Sequence, residues 1–419
     1  MHKFFVLILG LFCSVAYGQI EEVRRITEKL CSPEFHGRGY VQHGDSIAAA
    51  FLVEEFTKLE IEPYLDSYYQ YFGLDVNTFP GKMNLSQKDI QFIPGLHFSI
   101  NPSSIGGQYS LHTTEITTEQ VLDLDFLRGL ISEIRRNPSS EVLVFNCLDA
   151  KGDTLTQVQG IINEIATLMP VIELVNKKFT WSVGREQSYF PFIQLQDSVY
   201  AKGIDFELNV DAKLIKDYRT QNVIAYVPAQ KKCNKTLMFT AHYDHLGRMG
   251  AETYFPGAND NASGTAMLLT MAKYFKENPS EYNILFVAFA GEEAGLVGSK
   301  FFVENPILKL KKIKFLVNLD IMGSGEEGIT VVNGTLFKEQ FDLLQTINKE
   351  KNLLEKIKIR GPAANSDHYW FSEKGVPAIF IYTMGPNKHY HDVFDAYEEL
   401  SFSEYDDITT LLIEFVKRL

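Results

Sequence analysis

The chain has 419 residues, of which 45% are hydrophobic and 22% charged; this balance excludes a disordered or fibrous protein, and the length is sufficient for two domains. Its 40 lysines and arginines face 53 acidic residues, a formal net charge of −13, which argues against nucleic acid as a general partner because phosphate binding needs a surplus of cations. The four cysteines show no CxxC spacing and are too few for a disulfide scaffold.

The first 18 residues have the layout of an export signal. Lys3 precedes an apolar run, Phe4–Phe12, and Ala16–Gly18 offers a small-x-small cleavage site. The run is shorter than the ~20 residues needed to span a bilayer, and no later stretch is apolar over a sufficient length. We therefore predict a signal peptide over residues 1–18, export to the periplasm or the extracellular space, and no membrane span after cleavage.

The next segments differ in their hydrophobic pattern. Apolar residues recur at roughly helical spacing across Asp45–Leu59, which predicts an amphipathic helix. The pattern changes at residue 82, and residues 82–214 contain no cluster of likely metal ligands. We predict that this segment, called the insert below, is a smaller inserted α/β domain. Its predicted elements are the strands Glu141–Asn146, Val171–Leu174 and Phe192–Leu195 and the helix Leu155–Leu168.

From residue 222 onward, strand-like and helical segments alternate. Such alternation predicts an α/β fold with a mainly parallel, mixed central sheet and helices on both of its faces. The predicted strands are Asn222–Val227, Thr236–Ala241, Asn283–Phe289, Ile313–Leu319, Ile329–Val332 and Val376–Tyr382, and the predicted helices are Ala262–Phe275, Gly295–Val303, Leu336–Lys349 and Glu399–Lys417.

Histidines and acidic residues follow four of these strands. In open α/β sheets, ligands bind beyond the carboxyl ends of the strands, so we expect these side chains to meet at one edge. A further acid, Asp260, precedes a helix in the stretch PGANDNASG. The residues after the strands are HYDH at 242–245, GEE at 291–293, Asp320, and a loop with His389 and His391.

Each of these motifs alone has an ordinary structural explanation, such as a helix cap for Asp260. Two adjacent acids after a buried strand are nevertheless costly unless a cation offsets them. Histidine and carboxylate donors without cysteine suit catalytic zinc, and two imidazoles with three carboxylates are enough for two ions that share one carboxylate. A G-x-S-x-G motif for a serine nucleophile is missing from the sequence. Together the motifs predict a two-metal site.

These blocks closely resemble the co-catalytic zinc peptidases, a family that includes bacterial leucyl aminopeptidases, plasma glutamate carboxypeptidase and folate hydrolase. The resemblance covers residues 222–400 and rests on AHYDHLG, PGANDNASG, AGEEAG, NLDIMG and HYHDVFDAYE, with a weaker match at LCSPEFHGRG. It implies a zinc-peptidase α/β/α sandwich formed by residues 19–81 and 215–419. Within the insert, FPFIQLQDS resembles the protease-associated domain of exported relatives.

The resemblance also implies two zinc ions per chain. Of the two histidines in the last motif, His391 is preferred to His389 because it keeps the family's spacing to Asp395. The implied ligands are His242, Asp260 and Asp320 for one ion and Asp260, Glu293 and His391 for the other.

Roles in catalysis follow from the same resemblance. Glu292 takes the position of the general base, which would accept a proton from water held between the zinc ions and return it to the leaving amine. Asp244 takes the position of the carboxylate that orients His242. In many relatives the peptide bond after the shared acid is cis, which would be the Asp260–Asn261 bond here.

One position departs from the family pattern. Some relatives carry a tyrosine shortly before the SDH block, where its hydroxyl polarises the substrate carbonyl, but residues 361–365 contain none. His368 or a tyrosine elsewhere could fill this role. Asp367 and His368 are therefore candidate substrate-binding residues.

The implied function is that of an exported zinc exopeptidase acting on peptide substrates. An aminopeptidase is the first expectation, while carboxypeptidase and dipeptidase activities are open. One alternative is a glutaminyl-cyclase-like acyltransferase, which uses a single zinc ion. A second alternative is a non-enzymatic binding protein on the same scaffold, which would be marked by lost ligands; all five ligands are present here.

Overall fold

A computed structural model describes residues 20–136 and 141–419. The predicted signal peptide, residues 1–18, lies outside the described residues. Within them, no helix is both long enough and apolar enough to cross a membrane.

Strands and helices follow one another along the whole of the described chain. In chain order, the strands are β1 (Glu62–Pro63), β2 (Tyr69–Thr78), β3 (Met83–Gln87), β4 (Ile90–Gln91), β5 (Phe98–Ile100), β6 (Gly107–Thr117), β7 (Glu141–Asn146), β8 (Val171–Val175), β9 (Phe192–Gln196), β10 (Phe206–Val210), β11 (Lys213–Val227), β12 (Thr236–His242), β13 (Arg248–Met249), β14 (Thr253–Tyr254), β15 (Asn283–Phe289), β16 (Ile313–Leu319), β17 (Gly328–Val332), β18 (Ile357–Ile359) and β19 (Ala378–Met384). The helices are α1 (residues 20–31), α2 (Gly44–Lys58), α3 (Thr118–Leu122), α4 (Leu124–Arg136), α5 (Gly152–Ile165), α6 (Gly264–Glu277), α7 (Val297–Glu304), α8 (Lys338–Lys351), α9 (His368–Glu373) and α10 (Tyr405–Arg418).

The larger sheet is formed by strands that flank the insert in the sequence. Its order is β1-β11-β15-β12-β16-β19-β17-β18, and β2 pairs with β11. The central strands β15, β12, β16 and β19 are mutually parallel, whereas β1, β2, β11 and β17 pair antiparallel with neighbouring strands. The predicted mixed α/β sheet with a parallel centre is confirmed.

Helices cover both faces of this sheet because its central strands are apolar on both sides. Along β15, Phe286 packs into the core that contains Phe56 of α2 and Met267 of α6. Its neighbour Val287 points to the opposite face and packs in the core that contains Phe302 of α7. Alternate residues of one strand thus enter two cores, as a sheet buried on both faces requires.

The insert contains the second sheet, of order β4-β3-β10-β6-β7-β8-β9-β5. Helices α4 and α5 cover one face, where Leu127 and Ile162 pack with Phe145 of β7. On the other face, the apolar core of the insert also contains Leu246 and Phe255, which lie between β12 and the irregular turn Ala258–Ser263. The insert therefore packs directly against the chain that leads to Asp260. The domain boundaries themselves stay a prediction.

Several element boundaries differ from the sequence-based expectation. The largest difference is in β11, which begins at Lys213 rather than Asn222, and two other differences have a physical reason. The last strand begins at Ala378 rather than Val376, because Pro377 has no N–H to donate to a neighbouring strand and the Val376 N–H donates to Phe371 O instead. The C-terminal helix begins at Tyr405 rather than Glu399, after a short turn at Tyr397–Glu399.

Candidate metal centre

The parallel strands at the centre of the larger sheet bring the predicted ligands together. His242 is the last residue of β12, Asp320 directly follows β16, and Glu293 follows β15. His391 lies in the loop after β19, and Asp260 lies in the turn before α6. Because β15, β12, β16 and β19 are adjacent and parallel, their carboxyl ends deliver these side chains to one edge.

Asp260 lies between two groups of side chains. Its Oδ1 is 3.2 Å from His242 Nε2, which is also 3.4 Å from Asp320 Oδ1. Its Oδ2 is 3.1 Å from His391 Nε2, which is also 3.0 Å from Glu293 Oε2. We call His242, Asp260 and Asp320 the His242 subsite, and Asp260, Glu293 and His391 the His391 subsite. Each oxygen of Asp260 thus faces a different subsite.

The residues around Asp260 hold its backbone in place. Asp395 accepts hydrogen bonds from the N–H groups of Asn259 and Asp260, at 2.9 and 3.0 Å. The buried Arg38 donates to the carbonyl oxygens of Pro256 and Gly257 at 2.6 Å each. The Asp260–Asn261 peptide bond is cis, as the resemblance implied. Asp395 and Arg38 therefore fix the turn that carries the shared acid.

A second chain of hydrogen bonds orients Asp320. Ser366 Oγ donates to Asp320 Oδ2 at 2.9 Å and accepts from Asn318 Nδ2 at 2.8 Å. The other carboxylate oxygen, Oδ1, is buried and makes no hydrogen bond within the part of the chain that the structure describes. It lies in the His242 subsite and is free to bind a cation.

Asp244 contacts His242 differently from the expectation. The Nδ1 of His242 is 3.1 Å from the backbone carbonyl oxygen of Asp244 but 3.7 Å from its carboxylate Oδ1. That carboxylate instead accepts from the backbone N–H of Glu292 at 3.2 Å and from Tyr40 Oη at 3.3 Å. Asp244 thus contacts His242 mainly through its main chain, and its side chain also positions the segment that carries Glu292.

His245 was not among the site residues predicted from the sequence. Its Nδ1 is 2.7 Å from Glu293 Oε1, while the other carboxylate oxygen of Glu293 faces His391. His245, Asp260 and Glu293 are also close enough to hold a cation together. We assign His245 as a partner that orients Glu293, because His391 Nε2 is within 3.1 Å of both Asp260 and Glu293. The second histidine of HYDH was the available sequence signal.

The insert contributes the contact that orients His391. The Nδ1 of His391 is 3.0 Å from the backbone carbonyl oxygen of Trp181, and the Trp181 N–H donates to His391 O at 2.9 Å. His389, the competing histidine, points elsewhere: its Nδ1 is 3.6 Å from Asp392 Oδ1, and its side chain is 35% exposed. The structure thus brings His391, and not His389, to Asp260.

Both imidazoles have the hydrogen bonding that a metal ligand needs. A carbonyl oxygen only accepts, so the Nδ1 atoms of His242 and His391 each donate a proton to their partner. In the neutral ring this leaves Nε2 with its lone pair, and both Nε2 atoms point at Asp260. This arrangement, together with the unpartnered Asp320 Oδ1, fits a pair of divalent cations.

Without cations, the buried charges perturb one another strongly. Although burial disfavours the charged forms, contacts with His242 and His391 hold the pKa of Asp260 well below its usual value. Burial likewise opposes the imidazolium form of His391, but the carboxylates of Glu293 and Asp260 raise its pKa to about 11. For Glu292, burial raises the pKa well above its usual value, and the nearby carboxylate of Glu293 adds to this increase.

A cavity of about 220 Å³ opens beside both subsites. Its lining includes Glu292 and, from the surrounding loops and strands, Arg360, Asn365, Tyr382 and Tyr390. None of these last four was predicted from the sequence as a site residue, because they lie outside the motifs or beside a ligand. Tyr390 is stacked on the His391 ring, with centroids 3.9 Å apart.

The structure does not bring His368 and Asp367 to the wall of this cavity. Both side chains are fully buried, and neither lines the cavity. His368 packs against Phe380, with ring centroids 5.4 Å apart. The substrate contact expected of these two residues has no support in this geometry, because neither side chain reaches the wall of the cavity.

Comparison with known proteins shows what the part of the chain that carries this site is similar to. Residues 222–416 match the model described as Peptidase family M28. The chain is 30% identical over 226 residues to Aminopeptidase YwaD of Bacillus subtilis, an alignment that covers 51% of this chain and 48%, about half, of that protein. It is 24% identical to a probable leucine aminopeptidase of Trichophyton verrucosum, over 73% of this chain and 79% of the relative.

Solved structures show the same fold. The zinc aminopeptidase BSAP from Bacillus subtilis superposes with a TM-score of 0.67 at 19% identity, covering 95% of this chain and 94% of the other. An aminopeptidase from Aneurinibacillus sp. strain AM-1 superposes with a TM-score of 0.61 at 18% identity, covering 95% and 93%. Residues 222–416, which carry every predicted ligand, match peptidase family M28.

Proposed function

We propose that the chain is an exported aminopeptidase that binds two zinc ions and hydrolyses peptide bonds. The observation that carries this proposal is Asp260, whose two oxygens each face a different histidine and carboxylate. A carboxylate placed in this way serves two cations better than one, which favours a peptidase over a cyclase with a single zinc ion. Export rests on residues 1–18 of the sequence.

The two subsites would hold the ions through the five side chains already described. When bound, zinc supplies Lewis-acid polarisation of a carbonyl group and lowers the pKa of water. Names of relatives support this metal: BSAP is described as a zinc aminopeptidase, and a protein of Pyricularia oryzae, 32% identical over 127 residues, as a probable zinc metalloprotease.

Glu292 is the group of this chain that is placed to move a proton. Its side chain lines the cavity but contributes to neither subsite. Burial raises its pKa well above the usual value, so its carboxylate takes up a proton more readily near neutral pH than an exposed glutamate does. A carboxylate oxygen of Glu292 accepts a proton from water and returns it to the amine that leaves.

The small volume of the cavity supports action at the end of a peptide. Its volume of about 220 Å³ is below the ~300–1,000 Å³ of typical small-molecule pockets, so it suits a terminal residue better than a peptide that passes through. Arg360, Asn365, Tyr382 and Tyr390 offer hydrogen-bonding groups on its wall. These groups are available to orient the substrate carbonyl, the role that the missing tyrosine leaves open.

Digestion of a mixed peptide library, followed by mass spectrometry, tests the proposal. The wild-type protein should shorten peptides stepwise from the N-terminus. Glu292→Gln should lower turnover ~10²–10⁴-fold and keep the zinc content, because Glu292 is not a ligand. Glu293→Gln is the matched control: it should lose zinc as well as turnover.

Each alternative function has its own outcome in this experiment. Loss of water or ammonia without cleavage, with one zinc ion per chain, would establish the cyclase alternative. Shortening from the C-terminus would indicate a carboxypeptidase. Full activity of Glu292→Gln would overturn the assignment of the general base.

A further inference from the structure

We propose that the insert positions a ligand of the metal centre. Two of its residues, Lys178 and Trp181, fix His391 in the position where it can bind metal. We call these two residues the clamp. The inference deepens the proposed function and rests on it, since it assigns a positioning role to a segment that supplies no ligand.

The clamp holds the main chain of the loop as well as the ring of His391. His391 Nδ1 donates to the backbone carbonyl oxygen of Trp181 at 3.0 Å, and the Trp181 N–H donates to His391 O at 2.9 Å. Lys178 Nζ donates to Lys388 O and to the buried carboxylate of Asp392, at 2.8 Å each. The insert therefore forms hydrogen bonds with the loop after β19 on both sides of His391.

The backbone of His391 needs such support. Its φ is 52°, in the left-handed region that residues with a Cβ seldom adopt. Conformations of this kind persist where the surrounding structure imposes them. Here the surrounding structure includes the two hydrogen bonds to Trp181, so loss of the clamp should let the loop relax and move Nε2 away from Asp260.

Trp181 is itself held in place by the insert and by the chain that leads to Asp260. The Trp181 indole is only 6% exposed, and its Nε1 donates to Ile100 O at 2.7 Å. Its ring is stacked on Phe255, with centroids 4.8 Å apart and an interplanar angle of 13°. The backbone carbonyl of Trp181, which orients His391, is therefore held in a fixed position.

The His242 subsite has no comparable contact with the described part of the insert. The Nδ1 of His242 contacts the carbonyl of Asp244, and Asp320 is held by Ser366; both partners lie outside residues 82–214. Loosening the clamp should therefore affect one subsite and spare the other. A general loss of folding would affect both.

Zinc titration of the metal-free protein, with a competing chromophoric chelator, tests the proposal, and zinc-edge anomalous diffraction assigns each ion to its subsite. Trp181→Ala should weaken zinc binding at the His391 subsite ~10–100-fold and leave the His242 subsite unchanged. Phe145→Ala is the matched control, since Phe145 is fully buried in the other core of the insert; it should lower the urea midpoint of unfolding without changing either zinc affinity.

A second pair of variants covers the case in which Trp181→Ala does not fold. Lys178 is about half exposed, so Lys178→Met should fold and weaken the same subsite, and Lys178→Arg should restore binding through the retained positive charge. Unchanged affinity in Trp181→Ala and Lys178→Met, or equal weakening of both subsites, would overturn the proposal. A wild-type protein that binds fewer than two zinc ions would overturn the two-metal function itself, which separates the two failures.

Discussion

The two subsites share Asp260 but are supported by different parts of the chain. The His242 subsite is completed by residues that follow the strands of the larger sheet, with Ser366 behind Asp320. In the His391 subsite, the one histidine ligand lies on a long loop and is oriented by Trp181 of the insert. A site at one sheet edge can thus have one of its ligands oriented by a segment that lies far away in the sequence.

Substitution of the shared acid, Asp260, should have the largest effect, because it should affect both subsites. Asp260→Asn keeps the size of the side chain, but its amide has one oxygen and no charge, so it cannot bind two cations. We expect zinc to be lost from both subsites and turnover to fall to background. Metal analysis of the purified variant measures this loss. Asp367→Asn, which changes a buried acid that belongs to neither subsite, should keep both ions; full zinc occupancy in Asp260→Asn would contradict sharing.

Ser366→Ala should weaken the His242 subsite alone. The substitution removes the 2.9 Å hydrogen bond to Asp320 Oδ2, so the carboxylate loses its fixed orientation. Loss of such a supporting contact typically lowers metal affinity ~10–100-fold. Zinc-edge anomalous diffraction at limiting zinc would show reduced occupancy beside Asp320 and full occupancy beside Glu293. Equal occupancies would show that Ser366 does not orient this ligand.

His245→Leu is the matching change in the His391 subsite. It removes the 2.7 Å contact with Glu293 Oε1 and places an apolar side chain in a fully buried position. We expect the His391 subsite to lose affinity ~10-fold, the lower end of the effect of supporting contacts, because Glu293 keeps its second oxygen. His245→Asn, whose amide can donate to Glu293, should recover part of the affinity. Selective loss at the His242 subsite would refute this assignment.

The sequence predicted the strands that end at the ligands of the His242 subsite better than it predicted the contact that orients His391, for a physical reason. Buried parallel strands are continuous apolar runs, so Ile313–Leu319 was predicted with its observed bounds and Thr236–Ala241 to within one residue of its observed end, and polar residues stand out where such runs end. Trp181, in contrast, acts through its backbone N–H and carbonyl, which every residue except proline has. No residue type could therefore signal this contact.

His245 and His368 differ in the same way. The partner of His245 is Glu293, 48 residues later, and only the register of β12 against β15 brings them together. His368 belongs to a recognisable SDH block, yet the side chain points into the protein. A motif thus locates a residue in the sequence, but the direction of its side chain depends on the packing around α9.

His368 gives a test of a different kind, which concerns the stability of the packing around Phe380. Burial lowers the pKa of this imidazole to about 4, from an ordinary 6.5, and the ring packs against Phe380. The unfolded chain therefore binds a proton between pH 6.5 and 4 that the folded chain does not, so stability falls as the pH is lowered through this window. The loss reaches about 3 kcal/mol at the acid end, at 1.36 kcal/mol per unit of pKa.

Urea unfolding of the metal-free protein at several pH values measures this dependence. His368→Phe cannot take up a proton and keeps an aromatic ring against Phe380, so its free energy of unfolding should fall less steeply between pH 6.5 and 4 than that of the wild type. Parallel curves for wild type and His368→Phe would mean that His368 is protonated equally in the folded and unfolded chain, and acid would then destabilise the protein through other groups.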